Sequence, residues 1–486
     1  MFTAPWPVSE THSTMKALAR LALVTVFALM WSLGACSTPD ESPNDLTPES
    51  NDAGDASPGD ISEAADLPPL SDSDDPEPDG GDVPDVDTPD AAPDVSLPTE
   101  DVAEPEPEPI IPECEADVDC ADGLTCCQGR CADLDSDRDH CGACGNACPV
   151  ECGPEVCLKA VQISAGRGTT CALLNNGTVR CFGRYVGQET EQNLGSSRPL
   201  EVPGIVDALM VSCSNNHVCV IHVGGTVSCW GDNEFYQLAR PGDVNGLSIT
   251  PVGIEGVSDA VFVEAAEDGT CVVLSDGGVM CWGLTQSGRF GGEAFEEAVR
   301  IPAHHDVVNL SMTLNHALWL HDDGRVFVTG TPPYIRGIAL TPQPMNFQAI
   351  QVGAGGGHSC MVDLDGDLWC LGDNFDYQIG PAPCNFCDEP QRVPNATDIV
   401  SLDLGDKYTC FINIQGQAFC FGDLINVSRN PPDVLGMPRR VSDIPEPLVQ
   451  VSSAQLYSCA LASSGRVYCW GSPPGLRDGL AKPIEW

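Results

Sequence analysis

The 486-residue sequence predicts an all-β chain whose main domain is a seven-bladed β-propeller over residues 160–486. One motif occurs seven times, every copy has glycine at two fixed positions, and six copies carry a cysteine pair. Counted from the first cysteine of each copy, the motifs are 48, 52, 47, 42, 50 and 49 residues apart. This period is typical of a closed ring of four-stranded blades, which hides its sheet edges.

Each copy of the motif predicts a β-hairpin. In TTCALLNNGTVRCFG (169–183), alternating apolar and polar residues flank Asn175-Asn176-Gly177. This pattern predicts two strands joined by a three-residue turn, with Gly177 at positive φ. Cys171 then faces Cys181 at a pair without mutual hydrogen bonds, where side chains approach closely enough for a disulfide.

The same register predicts six disulfides within the hairpins. In the fourth copy Leu318 and Val328 replace both cysteines, a joint loss that bonded partners predict. Cys384 and Cys387 could bind a metal, but a disulfide-stapled loop is the preferred interpretation, and Cys213 remains as a small buried residue. The six predicted pairs are Cys171 with Cys181, Cys219 with Cys229, Cys271 with Cys281, Cys360 with Cys370, Cys410 with Cys420 and Cys459 with Cys469.

A proline-containing segment, read as a further strand, precedes six of the hairpins. A seventh segment, KPIEW (482–486), follows the last hairpin, and the first hairpin has none before it. We therefore expect the last strand to complete the first repeat and so close the ring.

The first 36 residues predict a bacterial lipoprotein signal peptide, with Met15 as an alternative start. A short basic region precedes an apolar run, and LGAC (33–36) resembles a lipobox, which makes Cys36 the lipidated residue. An ordinary cleaved signal peptide is the alternative. The chain is then expected in the cell envelope, anchored to the outer membrane by the Cys36 lipid alone, on its periplasmic or its outer surface.

Residues 37–113 predict a disordered, acidic, proline-rich linker. They contain 25 Asp and Glu, no Lys or Arg and no aromatic residue, so they cannot form a core and repel themselves into an extended tether. Calcium binding by this run is a less favoured alternative. The formal net charge of −49 excludes nucleic acid as a partner, because a basic surface is needed to neutralise phosphates.

Residues 114–157 predict a small module held by disulfides. Ten cysteines in 44 residues allow up to five disulfides, whose connectivity the sequence leaves open. Zinc at Cys141 and Cys144, or calcium at DLDSDRDH (133–140), is less favoured. The stretch CCQGRCADLDSDRDHCGACGNAC resembles the stigma-specific cysteine-rich family, which implies an extracellular module without known chemistry.

Two segments resemble the regulator of chromosome condensation repeat. They are GGGHSCMVDLDGDLWCLGDNFDYQIG (355–380) and NHVCVIHVGGTVSCWGDNEFYQL (216–238), which follow its Gly-x-x-His, Asp-Gly, Trp-Gly-x-Asn and Gly-Gln-Leu-Gly elements. The resemblance covers residues 160–486 and implies a propeller. The namesake's nucleotide exchange on a GTPase does not suit an exported acidic chain. A second relative, a secreted inhibitor of β-lactamases, implies protein recognition.

Little in the sequence indicates catalysis, and no catalytic, cofactor or metal residues are assigned. Histidines recur two residues before the motif origin and tryptophans eleven after it, which predicts hydrogen bonding within the blades and blade packing rather than catalysis or sugar stacking. These residues are His217, His316, His358, Trp230, Trp282 and Trp470.

The sequence therefore predicts a monomeric binding protein for an unidentified envelope or extracellular protein or glycan. The candidate ligand-binding residues lie in two long loops and are Phe235, Tyr236, Phe375 and Tyr377. The alternatives are a hydrolase or lyase that uses acidic residues in the central channel, an enzyme inhibitor, and a structural surface element.

Overall fold

The structure is a computed structural model. It describes parts of residues 114–158, and residues 159–484 except for 186, 188–195, 242–245, 285–287, 291–294, 336, 424–435 and 473–480. The predicted signal peptide, Cys36 and the linker lie outside the described residues. The described residues form strands and contain no helix that could cross a membrane.

The cysteine-rich module contains two short hairpins, and the propeller contains seven four-stranded antiparallel sheets. The module strands are β1 (Thr125–Cys127), β2 (Arg130–Ala132), β3 (Glu151–Gly153) and β4 (Val156–Leu158). Blade 1 holds β5 (Ala160–Ala165), β6 (Thr169–Leu174), β7 (Val179–Gly183) and β8 (Ser196–Glu201); blade 2 holds β9 (Ala208–Cys213), β10 (His217–His222), β11 (Val227–Gly231) and β12 (Ser248–Gly253); blade 3 holds β13 (Ala260–Ala266), β14 (Gly269–Leu274), β15 (Val279–Gly283) and β16 (Phe295–Arg300). Blade 4 holds β17 (Val307–Met312), β18 (His316–His321), β19 (Arg325–Gly330) and β20 (Ala339–Gln348); blade 5 holds β21 (Gln351–Ala354), β22 (His358–Val362), β23 (Leu368–Asp373) and β24 (Phe386–Arg392). Blade 6 holds β25 (Ile399–Leu404), β26 (Tyr408–Asn413), β27 (Ala418–Gly422) and β28 (Arg439–Arg440); blade 7 holds β29 (Leu448–Ser453), β30 (Tyr457–Ala462), β31 (Val467–Gly471) and β32 (Lys482–Pro483).

The seven blades confirm the predicted fold class, but the ring closes differently from the expectation. The first strands of neighbouring blades contact each other around the whole ring, including β29 with β5, so they are the inner strands. The last strand, β32, pairs with β31 of its own blade, and β8 already completes blade 1. The expected exchange of the last strand is wrong, because each proline-containing strand belongs to the hairpin that precedes it.

The hairpin-turn glycine of each blade explains how consecutive blades are joined. Gly177 has φ of 81° and its carbonyl accepts the N–H of Ala208, the first residue of the next inner strand, at 2.9 Å. The bond from Ala160 N–H to the Gly465 carbonyl, 3.3 Å, closes the ring between blades 7 and 1. The five other donor–acceptor pairs are Ala260–Gly225, Val307–Gly277, Ala349–Gly324, Ile399–Gly366 and Leu448–Gly416. Seven equivalent bonds therefore use the glycine that recurs in every copy of the motif.

Side chains also cap the inner strands where their edges face the channel. A backbone N–H there would otherwise be unpaired. Ser164 Oγ, for example, accepts the N–H of Cys213 in the next blade at 2.8 Å. Such acceptor–donor pairs include Ser164–Cys213, Ser212–Ala265, Glu264–Met312, Ser311–Ala354, Asp403–Leu404, Asp403–Ser453 and Ser452–Ala165.

The hairpin register agrees with the sequence-based expectation. Cys171 faces Cys181, and the pairs Ala172–Arg180 and Leu173–Val179 follow as predicted. The turn between the two strands therefore has the three residues that the motif indicates.

All six predicted hairpin cysteine pairs are disulfides, with Cα atoms 4.0–4.2 Å apart. Leu318 and Val328 face each other in the same register of blade 4 and are completely buried. The disulfides therefore lie inside the blade packing. They join Cys171 with Cys181, Cys219 with Cys229, Cys271 with Cys281, Cys360 with Cys370, Cys410 with Cys420 and Cys459 with Cys469.

The remaining cysteines of the described residues are also paired, with one exception. Cys384 is bonded to Cys387, and Cys213 is buried and free. Cys141 and Cys144 bond to different partners, which leaves neither available for zinc. The module pairs are Cys114 with Cys126, Cys120 with Cys131, Cys127 with Cys144, Cys141 with Cys152 and Cys148 with Cys157.

Candidate binding faces of the propeller

The propeller presents two different faces. The hairpin face carries the turns between the second and third strands of each blade. The loop face carries the connections from the first to the second strand and from the third to the fourth. The predicted ligand-binding aromatics lie on the loop face.

The two long loops are braced by buried amides. In blade 2, Asn233 Oδ1 accepts the N–H of Leu238 at 2.9 Å, and Gln237 Oε1 accepts the N–H of Phe235 at 2.8 Å. Asn374 and Gln378 make the corresponding bonds in blade 5. Because the amides satisfy the loop backbone internally, the conformation is built into the loop rather than imposed by a ligand.

The braces hold a tyrosine of each loop in a strained conformation. Tyr236 and Tyr377 have φ of 62° and 61°, in the left-handed region that bulky residues avoid. Gly288 occupies the corresponding position of blade 3, with φ of 67°. The family repeat also has glycine here, so the tyrosines occupy a site that the backbone would favour for glycine.

The four predicted aromatics differ in exposure. Phe375 is 66% exposed and Tyr377 37%, whereas Phe235 and Tyr236 are half-buried. The blade 5 loop therefore offers more aromatic surface to a partner than the blade 2 loop.

The channel mouth on the loop face is polar. Asn216 Nδ2 donates to Asp268 Oδ1 at 3.1 Å, and Lys407 Nζ lies 3.2 Å from Asp376 Oδ2. Burial raises the pKa of Glu267 nearby, and the charge of Arg289 partly opposes this. This mouth suits a hydrophilic ligand better than an apolar one.

The hairpin face carries an aliphatic ring that the sequence analysis did not identify. Ten residues before each motif origin, at the start of the inner strand, stands a valine, leucine or isoleucine. Six of the seven are bulged out of the strand register, and six are 40–49% exposed. The ring members are Val161, Leu209, Val261, Val308, Ile350, Val400 and Val449. The sevenfold recurrence of an aliphatic residue at an exposed position was the signal that could have revealed it.

Two carboxylates line the channel between the faces. Burial, together with the charge of Asp403, raises the pKa of Glu264 to about 8. Burial raises the pKa of Asp403 to about 6, although backbone donors from Ser453 and Leu404 oppose this. Both side chains are partly accessible to solvent. Both act as caps for backbone N–H groups, a role that serine has in most other blades, which explains their position without catalysis.

The recurrent histidines join neighbouring blades. His217 Nε2 bonds to Thr270 Oγ1 at 2.7 Å, His316 Nε2 to Ser359 Oγ at 2.8 Å, and His358 Nε2 to Thr409 Oγ1 at 2.9 Å. All three imidazoles are completely buried, and burial lowers their pKa to about 3 or 4. These histidines are therefore neutral structural hydrogen-bonding groups.

The recurrent tryptophans are core residues. Trp230 Nε1 donates to the Tyr185 carbonyl at 3.0 Å and Trp282 Nε1 to the Gln237 carbonyl at 2.8 Å. Trp470 is also almost completely buried. None of the three is available to stack against a sugar.

Comparison with known proteins agrees with this architecture. The Regulator of chromosome condensation (RCC1) repeat matches residues 160–184, 210–237 and 349–378. Together with the sevenfold ring, this defines the protein as an RCC1-like β-propeller.

Two relatives match the chain at low sequence identity. The chain is 24% identical over 281 residues to the guanine nucleotide exchange factor SRM1 of Saccharomyces cerevisiae, covering 49% of this chain and 58% of SRM1. It is 26% identical over 180 residues to the Regulator of chromosome condensation of Xenopus laevis, covering 34% of this chain and 42% of that protein. The chain thus spans about half the length of these relatives.

Solved structures show the same fold. Human WBSCR16 superposes with a TM-score of 0.56 at 18% identity, covering 65% of this chain and 90% of that one. Prp20p of Saccharomyces cerevisiae, described with its binding properties to Gsp1p and histones, superposes with a TM-score of 0.55 at 18% identity, covering 65% and 86%. At this identity the likeness concerns the fold alone.

Proposed function

We propose that the protein is a cell-envelope binding protein whose propeller recognises a partner protein through its hairpin face. The aliphatic ring carries this proposal. Packing within the blade does not require an exposed aliphatic side chain at six equivalent positions. A contiguous apolar patch on a surface marks an interaction site, because its burial stabilises a complex.

The chemistry of the ring favours a protein over a glycan. Sugars are bound by aromatic faces and hydrogen-bonding groups, and the ring contains neither. Apolar side chains of a protein match it. Acidic residues such as Asp259 and Asp306 directly precede the inner strands near the ring, so a partner with basic residues around an apolar centre fits best.

The loop face provides a second contact surface. Phe375 and Tyr377 are exposed on a braced loop, and a strained residue held by its surroundings is typical of binding sites. These aromatics suit a partner that reaches the rim of blade 5.

Envelope anchoring is part of the same proposal. The lipobox-like LGAC and the acidic linker of 77 residues support a propeller tethered through a lipid on Cys36. A Cys36→Ala variant is expected to lose incorporation of labelled fatty acid and to leave the membrane fraction. Retention of both label and membrane attachment would contradict the anchor.

The recognition surface can be tested by quantitative capture with the full chain. The variant Leu209→Asp/Val308→Asp places two charges in the ring, and we expect it to lose the proteins that the wild type retains from envelope extracts. Val299→Asp, on the outer strand of blade 3, changes a similarly exposed valine and is the matched control. Equal capture by all three chains would reject the hairpin face.

A hydrolase or lyase is the alternative, because two carboxylates lie in the channel and burial raises the pKa of Glu264 to about 8 and that of Asp403 to about 6. An activity screen of the purified chain with and without divalent metals separates the alternatives. Activity that disappears in Glu264→Gln would support catalysis. Binding that survives this change and fails in the ring variant supports recognition.

A further inference from the structure

One disulfide of the propeller is open to solvent on one side. Cys384 and Cys387 bond to each other where the connection from β23 enters β24 of blade 5. Cys384 is half-buried and Cys387 is 2% exposed, whereas no cysteine of the six hairpin disulfides is more than 2% exposed. Among the described residues of the propeller, this is therefore the disulfide that a thiol in solution can reach.

The spacing of this pair also differs from that of the hairpin pairs. Its two cysteines are three positions apart, and those of each hairpin disulfide are ten apart. A cross-link that closes a shorter loop restricts the unfolded chain less and so adds less stability. Exposed disulfides are also the ones that exchange with thiols. Both features make the pair in blade 5 the easiest of the propeller disulfides to reduce.

The segment that contains the two cysteines holds Asn374 in place. The N–H of Asn374 donates to the Asn385 carbonyl at 2.9 Å, and its Nδ2 donates to the Cys384 carbonyl at 3.1 Å. Asn374 Oδ1 in turn accepts the N–H of Ile379 at 3.1 Å. The residue that braces the aromatic loop of blade 5 therefore depends on the conformation of the disulfide ring.

Blade 2 has the same brace without a disulfide. Asn233 Nδ2 donates to the Arg240 carbonyl at 3.2 Å, within the loop itself. In blade 5 the corresponding amide reaches further along the chain, to the carbonyl of Cys384. The disulfide is therefore an addition to a loop that blade 2 builds without one, which suits a controlling element better than a structural necessity.

We propose that Cys384 and Cys387 form a thiol–disulfide exchange site, at which a protein with two thiols opens the disulfide and releases the blade 5 loop. A thiolate of the partner attacks Cys384 Sγ, on the more accessible residue, and Cys387 leaves as a thiolate that takes up a proton. The partner's second thiolate then attacks the partner sulfur of this mixed disulfide and releases Cys384, which is protonated in turn. Two electrons and two protons pass to the cysteine pair, and the partner becomes a disulfide.

Opening the disulfide changes the surface that the loop face offers. Phe386, between the two cysteines, is 47% exposed, and Phe375 on the braced loop is 66% exposed. Without the ring, Asn374 loses its fixed acceptors, so a partner that contacts Phe375 must order the loop and binds more weakly. This effect on binding rests on the loop-face contact proposed above, whereas the exchange reaction does not.

Reduction of the native full chain with a low concentration of dithiothreitol tests the exchange site. Alkylation at successive times and peptide mass spectrometry locate the thiols that form. We expect Cys384 and Cys387 to be labelled at least tenfold faster than Cys360 and Cys370, the hairpin disulfide of the same blade. Equal labelling rates for the two pairs, or labelling of Cys384 only when the chain unfolds, would overturn the proposal.

Amide hydrogen exchange tests whether the disulfide controls the loop. Reduction should raise the exchange rate of the Ile379 N–H at least tenfold and leave that of Leu238, its equivalent in blade 2, unchanged. Cys384→Ser/Cys387→Ser should show the fast exchange of Ile379 without reductant, and dithiothreitol should not change it further.

The hairpin disulfide of the same blade supplies the matched control. Cys360→Leu/Cys370→Val copies the apolar pair of blade 4 and should keep the slow exchange of Ile379 until dithiothreitol is added. Slow exchange of Ile379 in the reduced chain would overturn control of the loop by the disulfide. Neither measurement involves a binding partner, so its failure is distinguishable from failure of the capture experiment.

Discussion

Blades 2 and 4 have the same four-stranded register but stabilise it differently. Blade 2 has a disulfide between Cys219 and Cys229, and its His222 is fully hydrogen-bonded. Blade 4 has Leu318 packed against Val328 in the disulfide position, and its His321 has no partner. The register does not depend on the disulfide, because inner-strand caps and turn glycines are present in both blades. Blade 4 was therefore free to change its chemistry.

The largest expected effect concerns the disulfide. Cys219→Ala/Cys229→Ala should lower the free energy of unfolding by about 3 kcal/mol, because a cross-link of this size restricts the unfolded chain. Cys219→Leu/Cys229→Val copies blade 4 and should lose less, since it fills the space of the sulfurs with apolar groups. Denaturant unfolding of the oxidised chains measures both variants. Equal stability of the wild type and the alanine pair would refute a stabilising role.

The reverse substitution, which introduces cysteines into blade 4, tests whether its hairpin has the same register as the others. Leu318→Cys/Val328→Cys places two cysteines in the register of the other hairpins and should form a seventh hairpin disulfide on oxidative folding. Counting free thiols by alkylation and mass spectrometry shows the result. Two additional free thiols would mean that the strands of blade 4 approach each other differently.

Acid should weaken blade 4 before blade 2. Burial lowers the pKa of His304 to about 3, that of His316 to about 4 and that of His321 below its usual value, whereas blade 2 has His217 at about 3. The unfolded chain binds these protons below pH 6.5 and the folded chain does not, so stability falls as pH falls from 6.5 toward the folded values. For His304 alone this amounts to about 1 kcal/mol near pH 5.5, and the lowered pKa of His321 acts in the same direction.

Amide hydrogen exchange, corrected for intrinsic rates, resolves the two blades. Protection of β18 should decrease between pH 6.5 and pH 5 while that of β10 persists. His304→Val, which restores the aliphatic residue of blade 3, should reduce the difference. Parallel loss of protection in both blades would show that acid acts on the propeller as a whole.

The two equivalent histidines should respond differently to the same substitution. His222 bonds to Asp207 and Ser228, so His222→Phe should cost about 1 kcal/mol. The equivalent residue of blade 4, His321, has no side-chain hydrogen bond, so His321→Phe should change the stability by much less. Thermal unfolding measures both, and a larger cost at His321 would mean that its side chain has a hydrogen-bond partner in solution.

Much of the propeller could be predicted because its sequence signals are local. The turn glycine and the alternation around it fix which residues face each other, so the pairing of Cys171 with Cys181 follows from counting. Where each blade begins cannot be read from the sequence in the same way, because the spacing of the repeats does not show which strand is the first of a blade. The strand at 482–483 was therefore assigned to the wrong blade.

The binding surfaces were harder to predict for a different reason. A bulge turns a residue that alternation would bury toward solvent, so Val161 looks like a core residue until the register is known. Only the two tyrosine-containing loops could be recognised from the sequence, because each is a long polar segment that contains aromatic residues.

The smallest effect concerns the loop tyrosine of blade 2. Tyr236→Gly should stabilise the chain by about 0.5 kcal/mol, because relief of a left-handed tyrosine slightly exceeds the entropy cost of glycine. In blade 4, Tyr334 points inward and its hydroxyl bonds to Ser359 at 2.8 Å, so Tyr334→Phe should destabilise the chain. Thermal unfolding of both variants, followed by the capture experiment, separates strain from binding. If Tyr236→Gly gains no stability, the braces hold the loop without strain and the tyrosine needs no functional reason to be there.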